Sequence, residues 1–214
     1  MNLTIVRYGA NMEETKNTKE MIGQIALEMF SRRGYHAVSI RDIGKAVGIK
    51  ESSIYYHFKN KQAIMDSLLD KILLVTENMK ESFGNAFSRI ADVPEAAMCA
   101  VAVGVLENYL MNPYVYKMIQ MLSIERMADE KADEMYRRIV FELPLKQQEE
   151  VFKQMIERGI IRACDVKVLA QEYYSVIYFA FQKNCLGCQF TEENRRTACE
   201  EINRNMQDIY RKMK

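Results

Sequence analysis

A dense group of hydrogen-bond donors lies between residues 41 and 61 of the sequence. These side chains are Arg41, Lys50, Ser52, Ser53, Tyr55, Tyr56, His57, Lys59 and Lys61. They stand among apolar residues at positions that should pack inward, namely Ile40, Ile43, Ala46, Val47, Ile49, Ile54 and Phe58. Donors at this density suit the oxygens of phosphate groups, and phosphate contacts supply orientation and salt-dependent affinity. Sequence-specific recognition would then depend on the few side chains that reach base edges.

Charge is unevenly distributed along the chain, which has 214 residues and a formal net charge of +1. From Lys16 to Lys61 there are nine basic and four acidic residues, so this segment carries +5 and the rest of the chain −4. A local basic excess favours a polyanionic partner, although alone it usually indicates only a solvated face. We therefore expect a small basic module joined to a mildly acidic body.

The composition favours an all-α fold. Hydrophobic residues make up 49% and charged residues 28% of the chain, as is typical of soluble globular proteins. The 9 Gly and 3 Pro are too few for the turns of a sandwich or barrel. No stretch approaches the ~18 apolar residues of a membrane span, and the start lacks the pattern of a secretory signal. We expect a cytoplasmic protein that does not cross a membrane.

Helical periodicity predicts four helices in the basic module. Their expected ranges are 16–33, 39–47, 51–58 and 62–79. Gly34 ends the first helix, and Ser39 with Asp42 forms the capping-box pattern that starts the second. Gly48 supplies the left-handed conformation that a chain reversal requires.

Beyond residue 80 the basic excess ends and the predicted helices lengthen. Their expected ranges are 94–111, 113–140, 144–158, 165–187 and 191–213, with breaks at Pro94, Pro113 and Pro144. We place the domain boundary near residues 80 to 90. This gives a module of residues 15–80 and a body of residues 81–214.

Two short helices joined by a glycine turn match the helix-turn-helix arrangement, in which the later helix enters the DNA major groove. Residues 18–73 resemble the DNA-binding domain of the tetracycline-repressor (TetR) family of bacterial transcription regulators. The matching segments are Phe30-x-x-x-Gly34-Tyr35, the run from Ser39 to Ile49, and the run from Ser53 to Lys61. The resemblance implies a reading motif at about residues 38–58 and a larger helical domain for effector binding and dimerisation.

The same resemblance implies DNA contacts residue by residue. Base-edge contacts are expected from Arg41, Glu51, Ser52 and Tyr55, and phosphate contacts from Ser53, Tyr56, His57 and Lys61. Arginine can fork onto guanine, whereas Glu51 either accepts from cytosine or only favours the helix start. Lys50 stands where the family usually has a Ser or Thr cap. Either Tyr56 or His57 packs against the first helix if it does not touch DNA.

A single short reading helix contacts few base pairs, so useful specificity requires a homodimer on a palindromic site. We expect the last two helices to form the dimer interface. The expected interface residues are Tyr173, Ile177 and Phe181 on one helix and Ile202, Met206 and Ile209 on the other. The alternative is that these residues belong to the core of the single chain.

The resemblance also implies that a small apolar or amphipathic effector binds the body and acts through the long helix that begins at Gln62. Methionine and aromatic residues line adaptable apolar pockets. The candidates are Tyr109, Met118, Met121, Tyr174 and Tyr178, for which core packing is the commoner explanation. Glu107 and Glu125 either pair with a cationic ligand or face solvent.

The expected function is a repressor that binds a palindromic operator as a homodimer and is released by an effector. Alternatives are control by a partner protein or by oxidation of Cys185 and Cys188, and an enzyme with a helical active-site domain. Against an enzyme, the sequence has no glycine-rich phosphate loop and no nucleophile elbow, and both histidines lie in the basic module. We expect no catalytic residue, metal or cofactor.

Overall fold

A computed structural model describes the backbone of residues 3–88, 92–187 and 191–214, with side chains from residue 17 onward except residues 80–91. Every regular element in these ranges is helical, which confirms the predicted all-α fold. The helices are α1 (Leu3–Arg33), α2 (Ile40–Val47), α3 (Glu51–His57), α4 (Lys61–Ser88), α5 (Glu95–Val105), α6 (Pro113–Glu125), α7 (Glu130–Arg137), α8 (Leu143–Glu157), α9 (Val166–Asn184) and α10 (Glu192–Met213). Two π-helical turns, Leu106–Leu110 and Arg138–Glu142, continue α5 and α7.

The head consists of α1, α2, α3 and the first turns of α4. Its second helix begins as predicted, because the Ser39 hydroxyl accepts from the Asp42 N–H at 3.1 Å and the Asp42 carboxylate accepts from the Ser39 N–H at 3.0 Å. Gly48 ends α2 with a φ of 80°. Helix α3 begins at Glu51 although the Lys50 side chain makes no capping hydrogen bond.

A small apolar core holds the head together. Its fully buried members come from all four helices: Ile22, Phe30, Ile43, Ile54 and Ile64. Ala46, expected to pack inward, is exposed instead. Because α2 and α3 each turn one narrow face to this core, most of their polar side chains face outward.

Helix α4 leads from the head into the body, which comprises α5 to α10 and the rest of α4. It is continuous from Lys61 to Ser88, so a domain boundary at residue 80 falls within one helix. Helix α1 begins at Leu3, well before the predicted Lys16. Helix α6 packs along α1, so head and body also meet through these two helices.

The predicted helix break at Pro144 is wrong. Proline lacks the N–H that would bond to a carbonyl four or five residues earlier, here Val140 or Ile139. Those carbonyls accept instead from the hydroxyls of Tyr174 and Tyr109, each at 2.7 Å. The π-helical turn before Pro144 therefore keeps its backbone groups satisfied, and the helix continues.

The actual break lies between α6 and α7, inside the predicted helix 113–140. The chain leaves the helical path after Glu125, and Asp129 caps α7 by accepting from the Lys131 N–H at 2.9 Å.

Within the described ranges, no helix combines the length and apolar character that a membrane span requires.

Candidate nucleic-acid interface

The four residues predicted to contact bases lie on the outer side of α2 and α3. Arg41, Glu51 and Ser52 are exposed, and Tyr55 exposes 50% of its surface. Within α3 only Ile54 is buried. The geometry therefore leaves the other residues of this seven-residue helix available to a partner.

The residues predicted to contact phosphate divide into two groups. Ser53 is exposed and Tyr56 exposes 79% of its surface, whereas His57 is half-buried. The rings of Tyr56 and His57 meet edge to face, with centroids 5.2 Å apart. Burial lowers the pKa of His57, and nearby Lys19 lowers it further. Both effects favour the neutral imidazole of His57, which can still offer a hydrogen bond.

Lys61 makes contacts within the head. Its ammonium donates to the carbonyls of Tyr35 and Val38, at 2.9 Å each, and lies 4.2 Å from the centre of the Tyr35 ring. Two of its three donors are thus used inside the head, where they hold the turn between α1 and α2. The third donor of the half-buried Lys61 ammonium is left for the predicted phosphate contact, which stays a prediction. Lys45, Lys50 and Lys59 are exposed and keep the face of α2 and α3 basic.

The turn between α1 and α2 also contacts the body. The N–H of His36 donates to Glu125 Oε1 at 3.1 Å, and His36 Nε2 lies 3.3 Å from Asp129 Oδ2. No role was predicted for Tyr35 or His36, and Glu125 was predicted either to pair with a ligand or to face solvent. No local spacing could have revealed this contact, because His36 and Glu125 are 89 residues apart.

The prediction for the dimer interface also needs correction. All six predicted residues are buried within the single chain: Tyr173, Ile177, Phe181, Ile202, Met206 and Ile209. Helices α9 and α10 pack against each other, and this packing occupies those side chains. Outward, α9 presents Val168, which is 51% exposed, and Phe179, which is 65% exposed.

The five predicted effector residues do not line one cavity. Tyr109 and Tyr174 border a space of about 20 Å³ with Gln147, room for little more than one water. Met121 lines a separate cleft between head and body. Met118 is fully buried, and the hydroxyls of Tyr178 and Tyr136 lie 2.8 Å apart.

Glu107 and the two cysteines Cys185 and Cys188 were also predicted as candidate functional residues. Glu107 forms an ion pair with Arg195 rather than facing an empty site. Cys185 is fully buried, and Cys188 lies outside the described residues. Among the described residues, no group of three or more His, Cys, Asp or Glu side chains is arranged to hold a metal ion.

Known proteins resemble the head of this chain in sequence. The family profile described as "Bacterial regulatory proteins, tetR family" matches residues 24–68. IcaR of Staphylococcus aureus, the negative transcriptional regulator of the biofilm operon icaADBC, is 34% identical over 67 residues. The match covers 28% of this chain and 36% of IcaR, so it spans about a third of that relative.

Solved structures extend the likeness to the whole fold. A TetR-family transcriptional regulator from Mesorhizobium loti superimposes with a TM-score of 0.73 at 16% identity, over 92% of this chain and 96% of that one. SmeT in complex with triclosan gives a TM-score of 0.68 at 16% identity, over 90% and 91% of the two chains.

Fold and exposed face together define a helix-turn-helix protein with a helical body. Residues 24–68 of this chain match the TetR family of bacterial regulatory proteins, the family that the sequence predicted. The members of this family are transcriptional regulators and not enzymes.

Proposed function

We propose that this chain is a transcriptional repressor that binds a palindromic DNA operator as a homodimer and is released by a small molecule. The exposed face of α2 and α3 carries the proposal, because Arg41 and Tyr55 stand clear of the core on a basic surface. Arg41 can donate two hydrogen bonds to a guanine edge, and the exposed lysines supply attraction to phosphates. Base contacts by Glu51 and Ser52 and phosphate contacts by Ser53, Tyr56 and His57 complete the interface.

The homodimer is proposed to form through the outward face of α9 and α10. A groove between these helices is bordered by Val176 and Phe179 of α9 and by Arg204 and Asn205 of α10. The exposed ring of Phe179 lies in this groove with polar residues such as Lys183 and Glu201, and exposed aromatic side chains favour association between proteins. Phe179→Asp should give a monomer by sedimentation velocity, whereas Lys167→Asp at the start of α9 should not.

The space of about 20 Å³ beside Gln147 is proposed to widen when an effector binds in the body. The Gln147 Nε2 atom is buried without a hydrogen-bond partner among the described residues, next to the space between Tyr109 and Tyr174. A buried donor without a partner favours a ligand that offers an acceptor. The triclosan complex of SmeT, which has the same fold, supports triclosan as the first compound to test.

Selection of duplexes from a random pool tests the proposed function. We expect a palindrome, bound with an affinity that falls steeply with salt. Arg41→Ala should lose the preference at one position of each half-site, while Lys146→Ala, far along the chain in α8, should bind as the unaltered protein does. Recovery of no common sequence at any salt concentration would contradict a specific regulator.

A further inference from the structure

The turn between α1 and α2 is held from two directions. From α4, the Lys61 ammonium donates to the Tyr35 and Val38 carbonyls at 2.9 Å each. From the body, Glu125 at the end of α6 accepts from the His36 N–H at 3.1 Å. This turn leads directly into the reading motif, so whatever holds it orients the head.

The contact with Glu125 is close as well as polar. Gly34 has a φ of 81°, and a Cβ built at this residue would overlap Glu125 Oε1. The Glu125 side chain is only 14% exposed. A carboxylate so far removed from water needs its hydrogen bond, so breaking the contact is costly. The missing side chain at residue 34 is what allows the carboxylate to reach the turn.

Helix α6 contacts α1 and the turn after it at several points along the length of α6. Near its start, Gln24 of α1 donates to the Tyr114 hydroxyl at 3.4 Å. One turn later, Lys117 pairs with Glu28 at 2.5 Å, and this contact lowers the pKa of Glu28. Glu125 is the last contact in this series, and it is the one that reaches the turn next to the reading motif.

We propose that Glu125 is a positioning residue that sets the orientation of the reading head on the body, and with it the spacing of half-sites that the homodimer accepts. This inference rests on the proposed function. Half-sites lie about one helical turn of DNA (~34 Å) or a multiple apart, so a rotation of either head changes the span between them. Base recognition within each half-site depends on α2 and α3 and is unaffected by Glu125.

The test measures binding to palindromes whose central spacing is changed one base pair at a time. For the unaltered protein, one base pair from the best spacing should weaken binding about tenfold. Glu125→Ala should reduce this penalty to about threefold or less, with the same preferred half-site sequence. Glu125→Gln keeps the accepting oxygen and should retain most of the penalty. Glu130→Ala removes an exposed acid on α7 and should leave it unchanged.

Paired glycine variants test the contact without DNA. Gly34 and Gly48 have nearly equal φ values, 81° and 80°, but nothing lies within 4 Å of a Cβ at Gly48. Alanine should therefore lower the melting temperature more at position 34 than at 48. The excess should disappear in a Glu125→Ala background, as a double-mutant cycle reveals.

The two experiments distinguish failure of the proposed function from failure of the proposed role of Glu125. If the unaltered protein selects no palindrome, the proposed function fails and the spacing role fails with it. If it selects one with a sharp spacing and Glu125→Ala is equally sharp, only the role of Glu125 is overturned. An excess cost of Gly34→Ala that persists without the Glu125 carboxylate would overturn the contact itself.

Discussion

Head and body differ in where they place tyrosine side chains. In the head, Tyr55 and Tyr56 project from a short helix and are 50% and 79% exposed. In the body, Tyr109 and Tyr174 are 2% and 4% exposed and donate to backbone carbonyls. Burial raises the pKa of both body tyrosines, so they stay protonated as donors. Tyrosine side chains are thus exposed in the head, whereas they form buried structural hydrogen bonds in the body.

The family profile matches residues 24–68, in the head, whereas the likeness to solved structures extends through the body. The reading face requires particular side chains at particular positions, because donors must meet fixed oxygens and base edges. A helical core requires only apolar side chains of suitable volume, so many sequences satisfy it. Variants that affect the head but not the body, or the body but not the head, test this difference between the two regions.

The largest effect is expected in the body core. Phe152 is 2% exposed, and its ring meets Tyr173 edge to face with centroids 5.4 Å apart. Phe152→Ala should lower the free energy of unfolding by about 3–5 kcal/mol, through lost burial and the cavity left behind. Denaturation in guanidinium chloride measures this loss. A change below about 1 kcal/mol would mean that the core closes around the site.

The next effect should be confined to the head. Arg41→Ala and Tyr55→Ala should each weaken specific DNA binding by about 1–3 kcal/mol and relax the sequence preference. Because both side chains are exposed, the free energy of unfolding should change by no more than about 0.5 kcal/mol. Titration of selected and scrambled duplexes, beside thermal unfolding, separates the two quantities. Equal losses on both duplexes would show that the assigned base contacts are wrong.

Two adjacent tyrosines in the body differ in their hydrogen bonding. The Tyr174 hydroxyl donates to the Val140 carbonyl at 2.7 Å, whereas the buried Tyr173 hydroxyl has no partner among the described residues. Tyr174→Phe should cost about 1–3 kcal/mol because it leaves the carbonyl unsatisfied. Tyr173→Phe should be neutral or stabilising. Chemical denaturation of both variants checks the order, and equal costs would contradict the hydrogen-bond assignment.

The smallest expected effect concerns two lysines two residues apart. Lys59 is exposed, while Lys61 is occupied with the turn between α1 and α2. Lys59→Met should lower the salt dependence of DNA binding by about one unit of slope if it meets a phosphate. Lys61→Met should change the slope less and lower the melting temperature instead. The reverse order would show that Lys61 leaves the turn when DNA binds.

Local structure was predictable wherever neighbours along the chain cause it. The capping box of Ser39 and Asp42, the left-handed Gly48 and the exposure of Arg41 and Tyr55 all follow from residues within one or two turns. Pro144 misled the prediction, because the bonds that compensate for it come from tyrosines 30 and 34 residues away from their acceptor carbonyls. Met118, predicted to line an effector pocket, is fully buried, and composition alone does not distinguish a pocket from a packed core.

Short-range spacing and capping specify the helical class, the helix-turn-helix and the exposed side chains of α2 and α3, so the sequence alone was enough to predict them. Three features appear only in the folded chain: the exposed outward face of α9 and α10, the inward position of Lys61, and the contact of Glu125 with the turn at His36. Each of these depends on which surfaces meet between segments distant in sequence. Burial and hydrogen bonding across such contacts are properties of the folded chain, and no local pattern records them.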